Sequence, residues 1–342
     1  MHFLRLRILL IFFKVLFFSF LIFNKAHANL TAEGFEFWLK SYKEHAYKNG
    51  ISKKTINLAF QNAKFLEKVI VYDRKQPEFF EKTNVYVEKR ATNTRAKKAK
   101  NLLKKNLNLF NEIEKNFNVE KELLLALWGI ETNFGKHVGK MDIISSLATL
   151  SYDTRRRDFF SEQLLILLNL IDKNLINPKL LYGSWAGAFG NFQFMPSTIK
   201  NYALDYDKNN KIELKESLED SLASAANYIN KIGWRRGEPC FYKVKLTKKI
   251  KEKYINYSAR KIHHKLKISK WKKFGIKNYN NNEITGKNYT AALIMPDGGA
   301  DSPAFLVFNN YEKILKWNRS LRFGVAVCTL AEMIKKWNFI IN

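Results

Sequence analysis

The run Leu123-Leu124-Leu125-Ala126-Leu127-Trp128-Gly129-Ile130 leads into Glu131, an ionisable side chain with Leu127, Trp128 and Ile130 beside it or one turn behind. A helix this apolar is expected to be almost wholly buried, and burial disfavours the charged form of a carboxyl group. A carboxyl held protonated near neutral pH can give its proton to a glycosidic oxygen and afterwards take one back. An arbitrary glutamate at a helix end is more often capped or exposed, so the surrounding motifs must decide.

A second segment, Gly183-Ser184-Trp185-Ala186-Gly187-Ala188-Phe189-Gly190-Asn191-Phe192-Gln193-Phe194-Met195-Pro196-Ser197, reads as a glycine-rich loop. Glycines at 183, 187 and 190 let backbone come close to a ligand. Gln193 offers both a donor and an acceptor to an N-acetyl or hydroxyl group, unless it merely ties loop backbone together. A glycosidase ordinarily uses a second carboxylate, as nucleophile or as base for water. None is evident beside these motifs, and Asp142, Asp153 and Asp158 stay open for that role.

A third motif runs from Asp205 to Glu216, with oxygen-bearing side chains at Asp205, Asp207, Asn209 and Glu216 and the main-chain carbonyl of Lys211 at position 7. This is the spacing of an EF-hand loop around one Ca²⁺. Asn210 stands where glycine is usual, and asparagine tolerates the left-handed conformation better than most residues. The site is therefore weakened rather than excluded, with a polar turn free of metal as the alternative.

Gly129-Ile130-Glu131-Thr132-Asn133-Phe134-Gly135, followed by Gly187-Ala188-x-Gly190-x-x-Gln193-Phe194-Met195-Pro196-Ser197, resembles the lytic murein transglycosylases of the B type. These are exported enzymes with a lysozyme-like core that cut the MurNAc–GlcNAc bond of peptidoglycan. The resemblance extends from Asp73-Arg74-Lys75-Gln76-Pro77-Glu78-Phe79 to Asn227-Tyr228 and Gly233-Trp234, and more weakly to Trp317-Asn318-Arg319-Ser320. It implies that Glu131 is the only catalytic acid and base. Ser184 and Gln193 would hold the sugar, Tyr228 would stack or hydrogen-bond there, and Trp317 and Asn318 would line the site. The substrate's own N-acetyl group would stabilise the developing cation and its C6 hydroxyl would attack, giving a 1,6-anhydro product without a catalytic cofactor. Arg155 and Arg156 match an arginine pair of the family and would meet stem-peptide carboxylates through bidentate bonds; pairing with Asp153 or Asp158 is the alternative. The family's structural calcium loop is sometimes closed by a later acid, so Asp220 competes with Glu216 as the last ligand. Trp317 and Phe323 stand where the family tends to use tyrosine, and Phe192 where a smaller residue is common. Stacking on sugar survives those changes, and hydroxyl hydrogen bonds do not.

These motifs need a framework, and the sequence supplies one of predominantly helical α+β class. From Thr31 to about Leu109 the apolar spacing is helical, with Phe35, Trp38 and Leu39 on one face and Ser52 capping a helix that carries Ile56, Leu58, Ala59 and Phe60. The Lys- and Arg-rich stretch from Arg90 to Lys105 reads as a solvated helix face. Gly135 is the expected left-handed cap of the apolar helix. Helices follow around Leu147 to Leu150 and Ser161 to Lys173. Tyr242, Val244 and Leu246 then alternate with polar residues as a half-wet strand does, Tyr289 to Met295 and Ala304 to Phe308 are further strands, and Val327, Leu330, Ile334 and Trp337 mark a closing helix. The expected organisation is a signal peptide over 1–28, a helical region over 29–118, a lysozyme-like catalytic core over 119–235, a β-containing subdomain over 236–300 and a segment over 301–342 returning to the core.

His2, Arg5 and Arg7 precede a run from Ile8 to Phe23 that is apolar except for Lys14 and Ser19, and Ala26-His27-Ala28 ends it. That is the pattern of a secretory leader cleaved after Ala28, with delivery to the periplasm; no Cys follows the site, so a lipoprotein is not expected. The chain has 342 residues, 59 Lys plus Arg against 31 Asp plus Glu and a formal charge of +28, and 46% of its residues are hydrophobic. Such a composition excludes disordered and collagen-like chains. The charge attracts polyanions without choosing among nucleic acid, anionic membrane and anionic envelope polymers, and export argues against nucleic acid as the partner. Peptidoglycan glycan strands are the expected ligand, and a monomer the expected state. Cys240 and Cys328 are the two cysteines, free to pair in an oxidising compartment or to remain thiols, and neither has a nucleophile's setting. His137, His263 and His264 form no metal set. Hydrolytic muramidase activity and non-catalytic glycan binding remain as alternatives, although the second is marked by loss of the acid at 131, where this chain has Glu.

Overall fold

Phe35, Leu39, Tyr42 and Ala46 recur at turn spacing and are buried along α1 (Ala32–Lys48), whose N-cap Thr31 accepts a hydrogen bond from Gly34 N. The computed structural model describes residues 30–75, 81–280, 284 and 289–338. The leader at 1–28, the Gln76-Pro77-Glu78-Phe79 end of the upstream motif and the Trp337 side chain lie outside that description. Ser52 caps α2 (Lys53–Phe60), burying Ile56, Ala59 and Phe60 but leaving Leu58 exposed. α3 (Glu67–Arg74), α4 (Thr83–Arg90), α5 (Asn93–Lys105) and α6 (Leu107–Phe117) complete the first helical layer. The basic stretch is not wholly solvated, because α5 buries Ala96, Ala99, Lys100 and Leu103. It packs against two helices further along the chain.

The first of those is α7 (Lys121–Thr132), in which every residue from Leu123 to Gly129 is buried. It ends on Asn133 in the left-handed conformation (φ 51°), with Phe134 and Gly135 also at positive φ. The cap is thus Asn133 rather than Gly135, since an asparagine tolerates that conformation. β1 (Met141–Asp142), α8 (Ile143–Tyr152), α9 (Arg157–Asp172) and β2 (Tyr182–Gly183) follow, the two short strands pairing antiparallel with Met141 opposite Gly183. α10 (Pro196–Tyr202) starts on the proline after Met195, and α11 (Leu218–Lys231) starts at the Ser217 cap.

The β subdomain holds β3 (Phe241–Leu246), β4 (Ile255–Asn256), β5 (Leu266–Lys267), α12 (Ile268–Lys273), β6 (Ile276–Asn278), β7 (Thr290–Ile294) and β8 (Ala304–Val307). Its strand order is β4-β7-β8-β3-β6, with β5 also pairing with β7; β4 and β7 run parallel and the other pairs antiparallel. One face encloses a separate core of Val244, Trp271, Leu293, Leu306 and Phe308. Because β8 lies between β7 and β3, the sheet continues to Val307 and does not end near residue 300. α13 (Asn309–Trp317) and α14 (Leu321–Asn338) then return the chain, and α14 lies along α4, α5 and α7. Cys240 and Cys328 form a disulfide that joins the approach to β3 with α14.

Candidate active site

Glu131 is half-buried in the last turn of α7, and its Oε1 accepts a hydrogen bond from Trp317 Nε1 at 2.8 Å. Trp317 is the last residue of α13, so residues far apart in the chain meet where these two helices end. The Tyr228 ring stacks on Trp317 with centroids 5.1 Å apart, and Tyr202 stacks on Tyr228 at 4.5 Å. Phe194 and Phe192 approach Trp317 edge-on at 5.3 and 6.2 Å. Glu131 therefore stands at one end of an aromatic wall, built from α10, α11, α13 and the loop before α10. Burial, with the neighbouring Tyr202, pushes the Tyr228 hydroxyl up to about 12. It stays neutral and donates to Lys316 O at 3.0 Å.

The loop that presents Gln193 is fixed from below. Asn191 is 6% exposed. Its N–H donates to Leu214 O, its Nδ2 to Lys215 O and Ser221 Oγ, and its Oδ1 accepts from Trp128 Nε1. Thr132 Oγ1, next to Glu131 in sequence, donates to Asn191 O at 2.8 Å. Gln193 has φ 50°, and its Nε2 donates to Val138 O and Gly190 O at 3.1 and 3.0 Å. The amide nitrogen thus ties loop backbone, while Gln193 itself sits between two phenylalanines that touch Trp317. Ser184 Oγ accepts from Ala186 N and Ala188 N and so closes its own turn. The glycines serve the protein's own packing. A Cβ on Gly187 would lie 2.3 Å from Leu147 Cδ2, and one on Gly190 would lie 2.6 Å from Leu214 O.

Arg155 and Arg156 pair neither with Asp153 nor with Asp158. Both bind Asp73 of α3, which is buried, and Asp153 pairs instead with Arg74. A buried carboxylate needs such partners more than an exposed one does. Of the three aspartates considered as a second carboxylate, Asp142 caps α8 through Ser145 N, Asp153 is held by Arg74, and Asp158 is exposed in the first turn of α9. Asn318 is the C-cap of α13, its N–H donating to Ile314 O. Phe323 is buried. At position 317 a hydrogen bond does survive the loss of a hydroxyl, because an indole N–H supplies it. Sequence reasoning assigned no role to Asn191, Thr132, Tyr202 or Phe194; Asn191 and Thr132 lay inside the motifs, but nothing local marked them as partners.

In the acidic loop, one carboxylate oxygen each of Asp205, Asp207 and Asp220 lie within 4.8 Å of one another. Asp220 is fully buried and accepts from the main-chain N–H groups of Tyr206, Asp207 and Glu213. Burial nevertheless raises its pKa, and Asp207 adds to the rise. Asn210 takes the left-handed conformation (φ 68°) and its N–H donates to Asp205 Oδ2, while Lys211 N donates to Asn209 Oδ1. Glu216 stays outside the cluster, exposed, with Lys215 3.6 Å away. Three clustered carboxylates repel one another unless a cation lies among them, so the donor set of Asp205, Asp207 and Asp220 fits a hard divalent ion.

No helix among the described residues is long and apolar enough to cross a membrane. The family model described as Transglycosylase SLT domain matches residues 34–332. Membrane-bound lytic murein transglycosylase B of Escherichia coli (strain K12) is 30% identical over 224 residues, which are 64% of this chain and 58% of that relative's length. SltB3 from Pseudomonas aeruginosa in complex with NAG-NAM-pentapeptide superposes with a TM-score of 0.80 at 32% identity, covering 88% of this chain and 79% of that one. Slt35 of Escherichia coli in complex with calcium gives a TM-score of 0.73 at 25% identity, covering 88% and 93%. The predominantly helical fold with a small sheet is thus that of known lytic transglycosylases, whose core is lysozyme-like. The span of the family match, over the helices and loops that assemble the Glu131 site, places the chain in the Transglycosylase SLT domain family.

Proposed function

We propose that this chain is a periplasmic lytic transglycosylase that cleaves the MurNAc–GlcNAc β-1,4 bond of peptidoglycan, with Glu131 as its only acid and base. The observation that carries this reading is the Glu131 carboxyl at the end of the aromatic wall of Trp317, Tyr228 and Tyr202, with Phe192 and Phe194 of the Gln193 loop edge-on to Trp317. The protonated Glu131 gives its proton to the leaving glycosidic oxygen as the C1–O bond breaks, and the substrate's N-acetyl oxygen stabilises the cation at C1. The C6 hydroxyl oxygen then bonds to C1 and returns its proton to Glu131, so no water is consumed. The engagement of Asp142 and Asp153 elsewhere supports a one-carboxylate mechanism over hydrolysis. Ser184 and Gln193 would receive the sugar, with Asn318 at the margin.

Arg155 and Arg156, half-exposed while bound to Asp73, would meet stem-peptide carboxylates with their remaining N–H groups. Asp205, Asp207, Asp220, Asn209 and the Lys211 carbonyl would hold a structural Ca²⁺, which neutralises the loop and takes no part in catalysis. The basic, apolar, Ala-x-Ala pattern of the first 28 residues supports export and cleavage. Mass spectrometry of products from purified peptidoglycan tests the chemistry. Muropeptides ending in 1,6-anhydro-MurNAc, lighter than the hydrolytic products by one water, are expected; a dominant reducing-end MurNAc would establish a muramidase instead.

A further inference from the structure

Trp317 was expected to be a platform for sugar, yet one face of its ring is occupied by Tyr228 and its margins meet Phe192 and Phe194. The residue before it is also anchored, since Lys316 O accepts from the Tyr228 hydroxyl. What this clamped ring turns toward the acid is its N–H, 2.8 Å from Glu131 Oε1. An indole N–H donates and has no lone pair to accept with.

We propose that Trp317 is a positioning residue for Glu131, fixing the plane of the carboxyl through its N–H donation to Oε1. The proposal rests on the reading of Glu131 as general acid. Because Trp317 can only donate, Oε1 must present a lone pair to it whether the carboxyl is charged or neutral. That one-way bond holds the carboxyl plane in both charge states. A tyrosine hydroxyl at this place could donate or accept, whereas the indole can only donate, and the stack with Tyr228 keeps it from turning away.

Kinetics on soluble, uncrosslinked peptidoglycan strands and indole ¹⁵N–¹H spectra of the full mature chain test this. W317F keeps an aromatic ring for Tyr228 but loses the donor; kcat is expected to fall about 10-fold or more with KM changed less than about twofold. W317Y, which returns a donor, is expected to recover part of kcat. The indole N–H signal missing from W317F is assigned to Trp317, and it should shift in E131A, a variant that leaves the aromatic cluster intact. A rise in KM with kcat preserved in W317F, or an indole signal indifferent to residue 131, would overturn the proposal. E131Q separates the two layers: wild-type turnover in that variant would overturn the acid assignment itself, whatever Trp317 does.

Discussion

Thr132 donates its hydroxyl proton to the main-chain carbonyl of Asn191 at 2.8 Å, joining the residue after the acid to the loop that carries Gln193. Asn191 passes the connection on to Leu214, Lys215 and Ser221, so the helix of Glu131, the glycine loop and the acidic loop share one buried hub. Asn191→Ala would remove three side-chain hydrogen bonds in a buried place and leave the Trp128 indole without its acceptor. A loss of about 3 kcal/mol is expected, seen as a Tm lower by on the order of 5 °C or more. An unchanged melting curve would show that the hub contributes no net stability.

Calcium should raise the Tm of the chain and do so in proportion to the logarithm of its concentration once the site fills, reaching about 2.7 kcal/mol at a hundredfold excess over Kd. Asp205→Ala should abolish that shift, because it removes a ligand whose loss leaves Asp207 and Asp220 alone. Glu216→Gln should leave it intact, since Glu216 stands outside the cluster. Calorimetry of the two variants with and without Ca²⁺ decides between Asp220 and Glu216 as the closing acid.

Ser52 caps α2 and its hydroxyl donates to Asp172 Oδ1, while also accepting from Thr55 N. The hydroxyls of Ser52 and Thr55 hold the Asp172 carboxyl below its ordinary range. A group whose folded pKa is depressed adds stability above its unfolded pKa and loses it as pH falls through the folded one. Ser52→Ala should therefore cost about 1 kcal/mol near neutral pH. The gap between the variant and wild type should narrow in acid, once Asp172 is protonated and only the capping bond remains. Urea denaturation across that pH range reads the gap; a constant difference would assign the whole effect to the cap.

Reducing the Cys240–Cys328 disulfide releases a loop of 88 residues that includes the whole sheet. A cost of roughly 2–4 kcal/mol is expected from the lost constraint on the unfolded chain. Thermal melts with and without reductant should differ accordingly, and equal melts would mean that the sheet is held by packing alone.

Local patterns carried much of this architecture in the sequence. The apolar run of α7, the Ser52 cap, the alternation of β3 and the buried runs of β7 and β8 each depend on neighbours within a turn or a strand, and each is where the pattern places it. What depends on distant partners was not legible. Arg155 and Arg156 found Asp73 rather than the aspartates beside them in sequence, because the packing of α3 on α8 buries that carboxylate. The glycines of the loop announced close approach but not to what, and the answer is Leu147 and Leu214. Trp317 announced an aromatic surface, and only the meeting of α7 with α13 shows its N–H facing the acid.

The most direct measurement is the release of soluble muropeptides from purified peptidoglycan by wild type and Glu131→Gln, with circular dichroism showing that both are folded. Wild type should liberate 1,6-anhydro-MurNAc products and the variant essentially none. Comparable release by the folded variant would contradict the assignment of Glu131 as the acid and base.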